Sequence, residues 1–138
     1  MRGERHREPW LAVSLRRMEV FVTLDVNDPP RMIRFWSAML GYDLQDEGRF
    51  EQPGQVYWSL TDPRGEGPRI VIQRVPEPPA AKTRLHLDIR VPDMEAEAAR
   101  AVSLGAQRID EIPICEVETT WIRLADPEGN LFCIVAAE

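Results

Sequence analysis

The residues best suited to chemistry in this sequence are His86 and Asp88, two positions apart in the stretch RLHLDIRV, residues 84–91. Alternating apolar and polar residues predict a strand, so His86, Asp88 and Arg90 share one face and the apolar residues between them face a helix. A histidine on such a face can exchange protons with a ligand, or can simply fill the sheet and hydrogen-bond a neighbour. Asp88 would orient the imidazole or pair with Arg90 or Arg123.

The same alternation on the other predicted strands gives the cleft a mixed lining. Apolar walls with a few convergent polar groups are typical of a small-molecule pocket, and arginines suit an anionic or carbonyl-bearing ligand. Trp121 is either a ligand platform or a packed wall, and Cys133 is either a small buried hydrophobe or a reactive thiol. The predicted catalytic residue is His86, and the predicted ligand-binding residues are Phe21, Tyr57, Gln73, Asp88, Arg90, Trp121 and Arg123.

The chain consists of two similar halves that position these residues. The residues that mark helix ends and turns in the first half recur in the second half at a constant interval. Leu40-Gly41 reappears as Leu104-Gly105, and the turn that begins at Asp62-Pro63 reappears at Asp126-Pro127. Repeats of this kind indicate two copies of one supersecondary unit.

Each half reads as a strand, a helix and three further strands. Asp28 and Asp93 are candidate helix caps, and Gly41 and Gly105 are candidate helix ends. The alternation places Val20 and Leu85 on the helix side of the opening strands. The predicted strands are Glu19–Val26, Tyr42–Asp46, Gln55–Thr61 and Arg69–Val75 in the first half, and Arg84–Val91, Gln107–Glu111, Thr119–Ala125 and Leu131–Ala136 in the second.

The predicted fold class is α+β, with two tandem βαβββ modules forming a curved mixed sheet of eight strands around a cleft, helices outside. Residues 1–17 form an N-terminal arm and residues 18–138 one domain. Module one spans about residues 18–76 and module two about residues 83–137, joined by a proline-rich linker.

Composition excludes several functions. The net charge is −6, which disfavours nucleic acid, and no apolar run approaches the ~20 residues that cross a bilayer. The two cysteines and the charged N-terminus, which resembles no secretion signal, predict a reducing, cytoplasmic setting.

Three segments resemble the vicinal-oxygen-chelate superfamily of glyoxalases, bleomycin-resistance proteins and extradiol dioxygenases. They are RFWSAMLGY at 34–42, DPEGN at 126–130 and RLHLD at 84–88, the last resembling the glyoxalase-like branch in particular. The resemblance implies one divalent metal, held from the first and last strand of each module. His86 matches one such position, whereas Cys133 stands where the family has Glu. The repeat sets Phe21 opposite His86, and Gln73 is the estimated fourth position.

We therefore predict a glyoxalase/bleomycin-resistance-like protein that binds a small organic molecule without the full four-ligand metal site. It would sequester that molecule or support acid–base chemistry through His86. The alternatives are a divalent-metal-dependent lyase, isomerase or dioxygenase, and a self-associating domain with a vestigial cleft. If Zn, Mn, Ni or Fe is bound, the expected ligands are His86, Gln73 and Cys133. The resemblance and the open sheet edges also imply a homodimer.

Overall fold

The computed structural model describes residues 20–45, 53–81 and 85–137. The predicted arm over residues 1–17 and the first residue of each predicted opening strand, Glu19 and Arg84, lie outside these ranges. Two helices and nine strands form in the described residues. They are β1 (Val22–Val26), α1 (Pro29–Leu40), β2 (Asp43–Leu44), β3 (Tyr57–Thr61), β4 (Ile70–Arg74), β5 (Leu87–Val91), α2 (Met94–Leu104), β6 (Gln107–Arg108), β7 (Ile114–Glu116), β8 (Thr119–Ala125) and β9 (Leu131–Ala136).

The strands form one sheet in each module. The order is β1-β4-β3-β2 in module one and β5-β9-β8-β6 in module two, where β7 also pairs with β8. In both sheets the first strand pairs in parallel with the last, and the remaining pairs are antiparallel. The α+β class and the two tandem βαβββ modules are thus confirmed, with the strands divided between two hydrogen-bonded sheets.

Both helices begin and end as the sequence predicts. The side chain of Asp28 accepts a hydrogen bond from the Arg31 amide, and that of Asp93 accepts one from the Ala96 amide, so each satisfies a free N–H group of the first turn. Gly41 and Gly105 follow the helices with φ of 67° and 117°, a left-handed conformation in which a side chain would be strained.

The repeated Asp-Pro turns are also equivalent. The Gly65 amide donates to the Asp62 carbonyl at 3.0 Å, and the Gly129 amide donates to the Asp126 carbonyl at 2.9 Å. Each aspartate side chain accepts a further hydrogen bond from the amide two residues on. The repeat therefore fixes the connection between the last two strands of each module.

Both helices pack on one face of the sheets, and no helix of the described residues covers the opposite face, which we call the open face. The Trp36 ring lies 5.1 Å from the Phe132 ring and the Phe35 ring 6.1 Å from it, joining α1 to β9 of the other module. α2 buries only Ala98 and Ala101. Large side chains on α1 and small ones on α2 thus bring both modules into one core.

Three predictions about the elements are wrong in detail. The predicted strand Gln107–Glu111 ends at Arg108, because the chain turns there to let Asp110 reach Arg123. The short strand β7 was not predicted. Val20 and Leu85 are exposed rather than packed under a helix, because they precede the strand residues that the helices cover.

Candidate functional site

The open face of module two contains a cavity of about 680 Å³. Within the described residues, its walls come from module two alone, and the predicted alternation accounts for most of them. Strands β5, β8 and β9 present every second side chain to the cavity, whereas the residues between lie in the core. The lining residues are His86, Asp88, Arg90, Ile114, Glu116, Thr119, Trp121, Arg123, Leu131, Cys133 and Val135.

His86, Asp88 and Cys133 form the polar centre of this cavity. Asp88 and Cys133 are direct partners in the parallel pairing of β5 with β9, so their side chains lie on the same face. His86 Nδ1 lies 3.1 Å from Asp88 Oδ1, a distance at which a protonated imidazole forms an ion pair. Strand alternation predicted that all three side chains face the cleft, and the sheet register adds that Asp88 and Cys133 are direct neighbours.

Cys133 is a protonated thiol in this setting. It is only 5% exposed, and burial raises its pKa to about 11, with the negative charge of Asp88 and a hydrogen bond to Asp88 as further causes. A thiol with that pKa carries almost no thiolate at neutral pH, and the thiolate is the nucleophilic form. Cys133 therefore serves as a hydrogen-bond donor and a packed wall.

Arg123 is held by a carboxylate that the sequence did not connect with it. Its guanidinium donates to both oxygens of Asp110, at distances from 2.8 to 3.2 Å, and its amide donates to the same side chain at 2.9 Å. These contacts lower the pKa of Asp110 and raise that of Arg123, in both cases chiefly through the side-chain hydrogen bonds. The positive charge of Arg123 in the cavity is therefore balanced by the negative charge of Asp110.

The predicted site residues of module one lie on the open face of the other sheet, and none of them lines the module-two cavity. Phe21 packs under the guanidinium of Arg69, which lies 5.6 Å from its ring centroid. The Gln73 amide donates to the Tyr57 hydroxyl at 3.4 Å. The structure thus gathers His86, Asp88, Arg90, Trp121 and Arg123, and places Phe21, Tyr57 and Gln73 apart from them.

The four-ligand metal set implied by the resemblance does not fit these residues. Phe21 has no lone pair to donate, and Cys133 offers a soft sulfur ligand where a hard divalent cation prefers a carboxylate oxygen. The only group of three ligating side chains found in the described residues is a different one. It consists of His86, Asp88 and Cys133, whose candidate ligand atoms lie within 4.8 Å of one another.

Sequence reasoning missed three residues at the site. Ile114 and Glu116 line the cavity from the unpredicted strand β7, and Asp110 anchors Arg123. The β-branched, alternating stretch IPICEV at residues 112–117 is a strand signal that could have found the first two. Asp110 gives no such signal, because only the antiparallel pairing of β6 and β8 brings it beside Arg123.

Two βαβββ modules with paired first and last strands and a cavity on the open sheet face define the vicinal-oxygen-chelate class of fold. A family model described as a glyoxalase-like domain matches residues 21–135. The chain belongs to this glyoxalase-like family. No curated protein sequence matches it significantly.

Solved structures share the fold at low sequence identity. A glyoxalase/bleomycin resistance protein/dioxygenase family enzyme from Burkholderia phytofirmans PsJN has a TM-score of 0.68 and 17% identity, over 86% of this chain and 97% of that one. Fosfomycin resistance protein FosX from Listeria monocytogenes has a TM-score of 0.67 and 17% identity, over 88% and 94%. TioX from Micromonospora sp. ML1 has a TM-score of 0.59 and 19% identity, over 87% and 98%. At these identities the likeness establishes the fold only.

No described helix is long and apolar enough to cross a membrane.

Proposed function

We propose that this protein binds a small organic molecule in the module-two cavity, with His86 as the residue that exchanges a proton with it. The observation that carries this proposal is the cavity itself. Its volume of about 680 Å³ lies within the roughly 300–1,000 Å³ of small-molecule sites, and a tryptophan and a histidine converge in it. The family names of the structural neighbours, resistance proteins among them, agree with a role in binding or modifying a small molecule.

His86 and Asp88 give the cavity a means of accepting a proton. An imidazole can accept a proton from a ligand, and the Asp88 carboxylate lies 3.1 Å from His86 Nδ1, where it can orient the ring. The buried Cys133 thiol donates to the same carboxylate and keeps it in place. Any catalysis here is acid–base chemistry of the lyase or isomerase type, and without it the cavity sequesters its ligand.

The charges of the cavity favour a neutral or cationic ligand. Arg90 and Arg123 are matched by Asp88 and Glu116 in the same lining, and Asp110 holds Arg123 as well. This balance removes the preference for anions that the arginines alone suggested. Trp121 adds a ring face of the kind that attracts a cation.

Three probes of one size test the ligand class: benzylamine, benzyl alcohol and benzoate, titrated by ligand-observed NMR. We expect benzylamine and benzyl alcohol to bind more tightly than benzoate, and His86→Ala to weaken binding while the protein stays folded. Val102→Ala, on the far side of α2, is the matched control and should leave binding unchanged. Tighter binding of benzoate would contradict the charge argument, and equal binding by the His86→Ala protein would remove His86 from the site.

The second candidate is a divalent-metal-dependent lyase, isomerase or dioxygenase. The observation in its favour is the three-donor group of His86, Asp88 and Cys133. One imidazole, one carboxylate and one thiolate with an open position suit Zn²⁺ better than a hard cation. Elemental analysis of untagged protein separates the two candidates, because a metalloprotein would retain its metal through gel filtration.

We also propose that the protein is a homodimer. Phe21 and Tyr57 are 50% and 58% exposed on the open face of module one, where a second copy would cover them. Multi-angle light scattering is expected to give a dimer for the natural sequence and a monomer for Tyr57→Glu. The control is Val102→Glu, an exposed apolar residue on α2, which should remain dimeric. A monomeric natural protein at micromolar concentration would refute the proposal.

A further inference from the structure

A second cavity, of about 280 Å³, lies at the seam between the two modules. We call it the seam cavity. Val22 and Leu24 of β1 form one wall, and Leu87 of β5 and Leu131 of β9 form the other. Two of its lining residues, Trp36 and Ile70, are almost fully buried in the core, so the cavity reaches inward from the open face toward the helix layer.

The seam cavity exists because the modules do not join their sheets along this line. In the described part of the chain, β1 and β5 are the edge strands of their sheets. The modules are held together by the packing of Trp36 on Phe132 and by the hydrogen bonds that the Asn27 and Asp28 amides, just before α1, donate to Glu128. The seam between the two edges is therefore left unfilled by the side chains of the described residues.

The seam cavity and the module-two cavity meet at two residues. His86 and Leu131 line both, so the polar centre of the larger cavity lies at the boundary with the apolar one. Leu85 also lines the seam cavity and is 87% exposed. When a ligand covers a large apolar side chain that is otherwise exposed to water, the burial of apolar surface favours binding.

We infer that the ligand is bipartite, with a polar end beside His86 in the module-two cavity and an apolar chain or ring in the seam cavity. This inference rests on the proposed function and adds the shape and polarity of the ligand to it. An amphipathic molecule fits this pair of cavities because each end meets walls of its own character. The apolar end would bridge the modules, since the walls of the seam cavity come from both.

A homologous series of n-alkylamines, from propylamine to octylamine, tests the inference by isothermal titration calorimetry. Each added methylene that enters an apolar cavity contributes about fourfold in affinity, and the gain should stop once the seam cavity is full. A flat affinity along the series in a protein that still binds benzylamine would overturn the bipartite ligand and leave the proposed function standing. Failure of all the amines and of benzyl alcohol to bind would overturn both.

Two variants test whether the gain in affinity with chain length arises in the seam cavity. Thr23→Trp places a large ring in the seam cavity from an exposed position of β1, and should abolish the dependence on chain length while propylamine, the shortest amine of the series, still binds. Leu85→Glu, at another exposed position, should reduce the dependence by placing a charge at the apolar wall, and serves if Thr23→Trp does not fold. Val102→Trp, which lines neither cavity, is the matched control. Equal chain-length dependence in all three proteins would overturn the inference.

Discussion

Asp62 and Asp126 occupy the same place in the two modules, yet their carboxyl groups are held in opposite ways. Backbone amides and the side chain of Arg64 donate to Asp62 in an exposed turn and lower its pKa to about 2, with the backbone hydrogen bond from Arg64 as the largest cause, although the Asp62 side chain itself is only 2% exposed. Asp126 is 3% exposed, and burial raises its pKa although Trp36 and Asn130 donate to it. The repeat therefore fixes the shape of the turn, whereas packing against the other module decides its electrostatics.

The open faces of the two sheets differ in the same manner. Module two carries a cavity with His86 and Trp121 in its lining, and module one carries exposed aromatic side chains at Phe21 and Tyr57. The backbone frames are alike, so the side chains alone distinguish the two faces. Under the proposed function, module two binds the ligand and the face of module one is left for association.

Removal of the Asp126 carboxylate is expected to give the largest effect. Asp126→Ala leaves the buried Trp36 indole N–H and the Glu128 and Asn130 amides without their acceptor, which should cost about 3 kcal/mol of the free energy of unfolding. Asp62→Ala is the matched change in module one and should cost less, because the amides that donate to Asp62 belong to exposed residues, whereas Asp126 also accepts from the buried Trp36 indole. Urea denaturation of both variants measures the two costs. Equal losses would show that burial does not distinguish the turns.

The next effect concerns the seam between the modules. The Glu128 carboxylate accepts from the Asn27 amide at 2.6 Å and from the Asp28 amide at 2.8 Å, so module two caps the first helix of module one. Glu128→Ala should lower the free energy of unfolding by about 1 kcal/mol. Its counterpart Arg64 pairs only with Asp62 in the hydrogen bonds described, so Arg64→Ala should cost less. A larger loss of unfolding free energy for Arg64→Ala than for Glu128→Ala in the same urea experiment would contradict the claim that Glu128 joins the modules and Arg64 does not.

The smallest expected effect is the pH dependence of the two aspartates. Asp62 has a lowered pKa when folded, so its contribution to stability is present above its ordinary value of 3.8 and is lost as pH falls through about 2. Asp126 has a raised pKa, so its contribution is greatest at acid pH and declines as pH rises through the folded value. The stability difference between the natural protein and Asp62→Asn should shrink below pH 4, and that for Asp126→Asn should shrink as pH rises. Parallel pH profiles for the two variants would refute the opposite pKa directions.

The helices, strands and turns of this protein could be predicted from the sequence because each depends on residues that are close together in the chain. Caps at Asp28 and Asp93 and the glycines after the helices are set by neighbouring residues, and strand alternation places Cys133 and Trp121 on the open face. Contacts between strands far apart in the chain were not predictable. The pairing of Arg123 with Asp110 and the approach of Cys133 to Asp88 depend on sheet register, which one sequence does not supply.

The difference between the two open faces was not predicted from the sequence either. Equivalence of the repeats predicted one cleft shared by both modules, with Gln73 and Tyr57 facing His86. The structure instead gives module two a cavity of its own, because α1 packs its large residues against β9 and sets the modules side by side. The direction of each side chain within its sheet followed from alternation, and the relation between the sheets did not.

Binding without a metal is tested most directly by the affinity of untagged protein for benzylamine before and after treatment with EDTA. The module-two cavity lacks the complete set of family ligands in the described residues, since Cys133 stands in place of a glutamate, and this predicts the same dissociation constant in both samples. Binding that disappears after EDTA and returns with added Zn²⁺ would contradict the metal-free site. It would assign His86, Asp88 and Cys133 to a metal centre instead.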